Sequence, residues 1–173
     1  MRRLRATVAL VITTLATACG GVACNMPTDA MKPTITREDM CMVNPSAYRT
    51  GEVQRFDLVI FEMPDSEKQR VNTKGGVRQI KRIVGMPGER LEVRENQLFI
   101  NDVAIIEPFQ TIVADSDKKR NFGPIAIPEG EYFLLGDNRP ESLDSRYFNY
   151  PTVNMADIHG KVVEIKKGYY AKK

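Results

Sequence analysis

Residues 79 to 100 decide the fold: Gln79-Ile80-Lys81-Arg82-Ile83-Val84-Gly85-Met86-Pro87-Gly88-Glu89-Arg90-Leu91-Glu92-Val93-Arg94-Glu95-Asn96-Gln97-Leu98-Phe99-Ile100. Gln79 to Val84 alternates in part between polar and apolar residues, which predicts a strand. Pro87-Gly88 then turns the chain. Arg90 to Val93 and Gln97 to Ile100 are short alternating runs on either side of Glu95-Asn96, the pattern of a β-hairpin.

The same pattern extends outward. Met40 to Val43 is a short strand candidate, and Asp57 to Phe61 is a near-continuous apolar run suited to a buried strand. Glu131 to Leu135 and Gly160 to Ile165 complete the set. Pro128-Glu129-Gly130 and Gly136-Asp137-Asn138 punctuate it, and Asp115 to Asn121 reads as a polar loop. No stretch of the body sustains a helical period. At 173 residues, 42% apolar and 27% charged, the chain suits one folded domain and not a disordered one. The expectation is a mainly β body, a barrel or sandwich, over residues 28–173.

Residues 1–27 read differently. Met1-Arg2-Arg3-Leu4-Arg5 is basic, and no charge follows from Ala6 to Thr28. That length suffices for a single N-terminal transmembrane helix. Positive charge ahead of it places the N-terminus in the cytoplasm and the body on the extracytoplasmic side. Ala16-Thr17-Ala18 also fits a cleavable leader, and Cys19 after it weakly fits a lipidated one.

The remaining composition narrows the chemistry. A single histidine, His159, leaves a His-based zinc site without ligands, and Cys19, Cys24 and Cys41 lack metal-ligand spacing. Cys41 reads as a small buried hydrophobe on a strand. The short basic runs Lys118-Lys119-Arg120 and Lys172-Lys173 read as solvated loop and tail, so no nucleic-acid partner is expected. No metal or cofactor is called for.

Four segments, in order, resemble the type I signal peptidase family: Ala30-Met31-Lys32-Pro33-Thr34, near S-M-x-P-T; Arg55-Phe56-Asp57-Leu58-Val59-Ile60-Phe61, near R-G-D-[IV]-V-x-F; Lys81 to Glu89, near K-R-[IV]-[IV]-G-x-P-G-[DE]; and Gly136 to Arg146, matching G-D-N-R-x-x-S-x-D-S-R. The resemblance implies a membrane-bound endopeptidase with a serine/lysine pair that removes signal peptides from exported preproteins. A serine needs a base beside it. Lys81 would be that base, because burial can lower a lysine by several units; on the residues alone, a lysine pointing to solvent from a strand is the commoner case. The family's pattern makes Ser142 the residue that orients Lys81 and Thr28 a contributor to oxyanion binding. Asp144 and Arg146 would form a supporting ion pair, and Asp137, Asn138, Arg139 and Ser145 would shape the loop beneath. Met31 and Pro33 are candidates for substrate contact. Met31, Met40, Met42, Phe56 and Phe61 could line a pocket or an apolar rim, although core is the commoner fate. Signal peptides, membrane lipid and the translocation machinery are the implied partners.

The first segment departs from the family at its first residue. Ala30 stands at the nucleophile position, and loss of such a serine costs on the order of a million-fold in turnover. The chain as written is expected to be inactive. A deliberate substitution and a natural non-catalytic relative, serving as a binding or assembly factor for exported or pilus-type proteins, both accommodate this. A self-cleaving repressor, which also pairs serine with lysine, would require a DNA-binding helical domain, and the sequence offers none.

Overall fold

A computed structural model describes residues 21–70, 78–114 and 116–171. Eleven strands and two short helices follow in order: β1 (Val22–Asn25), β2 (Met40–Asn44), α1 (Ala47–Thr50), β3 (Leu58–Glu62), α2 (Asp65–Arg70), β4 (Arg78–Gly85), β5 (Arg90–Arg94), β6 (Gln97–Ile100), β7 (Val103–Ala104), β8 (Phe122–Ala126), β9 (Glu131–Leu135), β10 (Val153–Asn154) and β11 (Ile158–Lys166). They build a seven-stranded sheet, β1-β2-β11-β3-β4-β9-β10, and a four-stranded sheet, β7-β6-β5-β8. Every strand pair is antiparallel.

The sequence expectation holds for the mainly β class but not for a closed barrel. Each sheet has two open edges among the described residues. The break between them falls at Gly85, where β4 ends and the Met86–Glu89 turn redirects the chain. A Cβ at 85 would overlap Ile127 and come within 2.7 Å of Leu91, so glycine lets the two sheets approach there. Val84, Phe133 and Leu135 of the large sheet pack against Leu91, Val93, Leu98 and Ile100 of the small one. The β5–β6 hairpin turns at Glu95 (φ 48°) and Asn96 (φ 66°), a pair of positive φ values that matches the twist of the flanking strands.

The large sheet is buried on both faces. Cys24, Met26, Ala30, Met31, Ile35, Cys41, Val43, Ile60 and Ile80 form one apolar cluster. Val59, Phe61, Ile83, Leu134, Phe148 and Val153 belong to the other.

The N-terminal boundary is a correction. Val22–Asn25, read from the sequence as the end of a membrane segment, is an edge strand paired to β2. The lack of charge there reflects burial in the sheet. Among the described residues no helix is long and apolar enough to cross a membrane; residues 1–20, which carry the basic start, the cleavage-like triplet and Cys19, lie outside the described residues. Helices α1 and α2, of 4 and 6 residues, are too short to show a period in the sequence.

Candidate active site

The site forms where β9 ends against the middle of β4, beside the chain that follows β1. Arg82 lies opposite Leu135 in the β4–β9 ladder, so the next rung sets Lys81 opposite Gly136. Opposed residues in an antiparallel pair lie about 5 Å apart with side chains on the same face. A Cβ at Gly136 would overlap Ser142 Oγ and come within 2.5 Å of the Ala30 carbonyl oxygen. Glycine is therefore required at 136, and the space its missing side chain leaves is shared by Ser142 and the Ala30 backbone. Asn138 clamps this corner by donating its N–H to the Ala30 carbonyl (3.1 Å) and its Nδ2 to the Asp29 carbonyl (3.0 Å).

Lys81 is 2% exposed, on the face shared with Val59 and Ile83. Burial pushes its amine down to about 8 from the ordinary 10.5, against the opposing pull of Asp144 and Asp137. Its Nζ donates to the Ile80 carbonyl at 3.3 Å. The expected bond from Ser142 to this amine is not made: Ser142 Oγ is buried with no hydrogen-bond partner.

The residues around this corner are joined by a network of hydrogen bonds and ion pairs. Arg146 grips Asp144 twice (Nε–Oδ1 2.9 Å, Nη2–Oδ2 3.0 Å) and donates Nη2 to the Arg139 carbonyl at 2.6 Å. Asp144 also accepts the Gly136 N–H at 3.2 Å, which ties the ion pair to the crowded glycine. Ser145 Oγ accepts the Leu134 N–H at 3.0 Å. Arg139 Nε donates to the Gly136 carbonyl at 3.0 Å. Asp137 takes a bidentate pair from Arg82 (2.9 and 2.6 Å) and accepts the Thr34 hydroxyl.

All four segments singled out in the sequence converge through these bonds. Thr34 of the first meets Asp137 of the fourth, and Arg82 of the third meets both Asp137 and the Phe56 carbonyl of the second (2.9 Å). Arg55 pairs with Glu89 and donates to the Val84 carbonyl at 2.8 Å.

Comparison with known proteins gives the architecture a family. The sequence matches the family described as signal peptidase, peptidase S26, over residues 2–166. The chain belongs to the signal peptidase family. It is 33% identical over 129 residues to signal peptidase I V of Bacillus subtilis, covering 69% of this chain and 71% of that protein. Against signal peptidase I of Bacillus amyloliquefaciens the identity is 36% over 123 residues, covering 68% and 59%. This signal peptidase homologue thus spans 71% and 59% of the length of these two curated relatives. A crystal structure of a signal peptidase I from Enterococcus faecalis superposes with a TM-score of 0.50 at 33% identity, covering 65% of this chain and 97% of that one.

Among the pocket and rim candidates, several take the commoner fate of core. Met31 is fully buried in the apolar cluster around Ala30, and Phe61 and Met40 are also buried, so none of the three lines an open surface. Pro33, Met42 and Phe56 are half-buried. Phe56 occupies a left-handed position (φ 75°) where the family pattern has glycine, and its ring meets Phe109 edge-on at 5.3 Å. Thr28 is half-buried in the bend before Ala30, with no side-chain hydrogen bond among the described residues.

Sequence reading missed four partners. Arg82 and Thr34 sit inside motifs but carry no signal of whom they bond. Glu107 pairs with Arg139, and Asp117 with Arg146 Nη1 at 2.8 Å. Asp117 is 5% exposed, so the Asp115 to Asn121 segment is not simply a solvated loop. These links span 32 and 29 residues, beyond the reach of any local pattern.

Proposed function

We propose that this chain carries the binding and proton-transfer apparatus of a serine/lysine endopeptidase that removes signal peptides, with the nucleophile missing at Ala30. The observation that carries the reading is Lys81: a lysine driven toward neutrality by burial, one rung from Gly136, around which Ser142 Oγ and the Ala30 backbone gather. A neutral amine can accept the proton of a serine hydroxyl as it attacks a peptide carbonyl. The unpaired Ser142 hydroxyl is free to accept from that amine and fix its direction. With a methyl group at 30, attack has no starting atom and the native chain is inactive.

The substrates in this reading are leaders of exported preproteins, met at the extracytoplasmic membrane surface as they leave the translocation machinery. The chain is held there by the N-terminal segment and contacts lipid.

Restoring serine tests the reading. The Ala30→Ser protein, in detergent micelles, should cleave a preprotein at its signal-peptide junction. It should do so on the order of a million-fold faster than the native chain. Lys81→Met in that background should return cleavage to the native level. An Ala30→Ser protein that folds and binds the leader but does not cut it points to a non-catalytic binding factor instead.

A further inference from the structure

We propose that Cys24 and Cys41 are a disulfide-forming pair, which on oxidation staples β1 to β2 and closes the segment bearing Ala30 into a covalent ring. Cys24 lies directly opposite Cys41 in the β1–β2 ladder. Opposed residues in antiparallel strands have Cα atoms about 4.5 or 5.5 Å apart, and both spacings fall inside the range that a disulfide spans. Both thiols are free and buried in the same apolar cluster as Ala30 and Met31. The neighbouring thiol favours the thiolate at Cys24, while the same neighbour and burial push Cys41 up.

Access comes from the sheet edge. Among the described residues β1 pairs only with β2 and its outer side has no neighbouring strand, and edge strands open at lower free energy than central ones. Residues 25–40, the interior of the ring, contain Met26, the Asp29 carbonyl that holds Asn138, and the whole Ala30–Thr34 segment. Neither thiol has a part in serine/lysine chemistry, so the pair stands apart from the peptidase reading.

The chemistry needs a disulfide oxidant, for which glutathione disulfide serves. The Cys24 thiolate attacks one glutathione sulfur, forms a mixed disulfide and releases one glutathione thiolate. The Cys41 thiolate then attacks the Cys24 sulfur, forms the Cys24–Cys41 bond and expels the second glutathione. Two protein thiols are oxidised, one glutathione disulfide is reduced, and the two thiol protons end on the two glutathiones.

The test uses the full chain in detergent micelles, as the native sequence and as Cys19→Ser. Each is incubated with glutathione disulfide, acid-quenched, alkylated and digested without reductant. Mass spectrometry should find the Cys24 and Cys41 peptides linked in both proteins. The oxidised form should melt roughly 5 °C or more above the reduced form, because the bond closes a loop of the unfolded chain. In Cys24→Ala/Cys41→Ala, oxidant and reductant should leave the melting temperature unchanged. Full alkylation of Cys24 and Cys41 on unfolding after oxidation would overturn the proposal. So would a native-chain bond that runs to Cys19 and disappears, without replacement, in Cys19→Ser.

Discussion

Arg146 and Lys81 are 1% and 2% exposed, and their surroundings are opposite. Every guanidinium nitrogen of Arg146 has a partner among Asp144, Asp117 and the carbonyls of Arg139 and Lys119. Its charge is raised further from neutrality by those carboxylates, against burial. Lys81 has one long bond to a backbone carbonyl, and the buried Ser142 hydroxyl beside Gly136 is unpaired. The first region spends ion pairs on holding a loop; the second holds a lysine that makes no direct ion pair among the described residues, with Asp144 and Asp137 acting only at a distance. Natural proteins keep such locally unfavourable corners where chemistry requires them.

The largest effect should come from the saturated side. Arg146→Met leaves Asp144 and Asp117 buried without their cation and should destabilise the chain by roughly 3–5 kcal/mol. Urea unfolding measures this, and a loss below about 1 kcal/mol would erase the contrast between the two regions.

Lys81→Met should act in the opposite direction. A lysine at about 8 in the folded chain and 10.5 in the unfolded one binds fewer protons when folded across that window. Native stability therefore rises with pH from about 8 to about 10.5, and below 8 the buried charge costs roughly 3 kcal/mol. The methionine variant should be more stable than the native chain by up to that amount at neutral pH, and the advantage should vanish above about 10.5. Stability measured across pH 6–11 would refute the account if the two proteins ran parallel.

The smallest effect concerns Ser142. Its buried Oγ has no partner, so Ser142→Ala should leave the native chain within about 1 kcal/mol of its stability, or raise it. In the Ala30→Ser protein the same change should sharply lower cleavage. A strong stability loss in the native background would show that Ser142 belongs with the saturated region.

Much of this was legible in the sequence where the signal is local. The β5–β6 hairpin announces itself through alternation and Glu95-Asn96, and β9 falls where its apolar run begins and ends. The Asp144–Arg146 pair is visible because its members lie two residues apart in a recognisable segment. What stayed hidden depends on distant partners. Val22–Asn25 looks like membrane sequence because a buried edge strand and a lipid-facing segment share the same apolar composition. Asp117 looks solvated until Arg146 is placed beside it. Ser142 Oγ fits where it does because Gly136 has no side chain, and the bond expected from it to Lys81 is not formed.

Burial outweighs the pull of Asp144 and Asp137 on the Lys81 amine. An NMR titration of the Lys81 side chain in the native chain, assigned by comparison with Lys81→Met, tests it most directly. The account predicts a midpoint of about 8. A midpoint at or above about 10, the value of a solvated lysine, would contradict it.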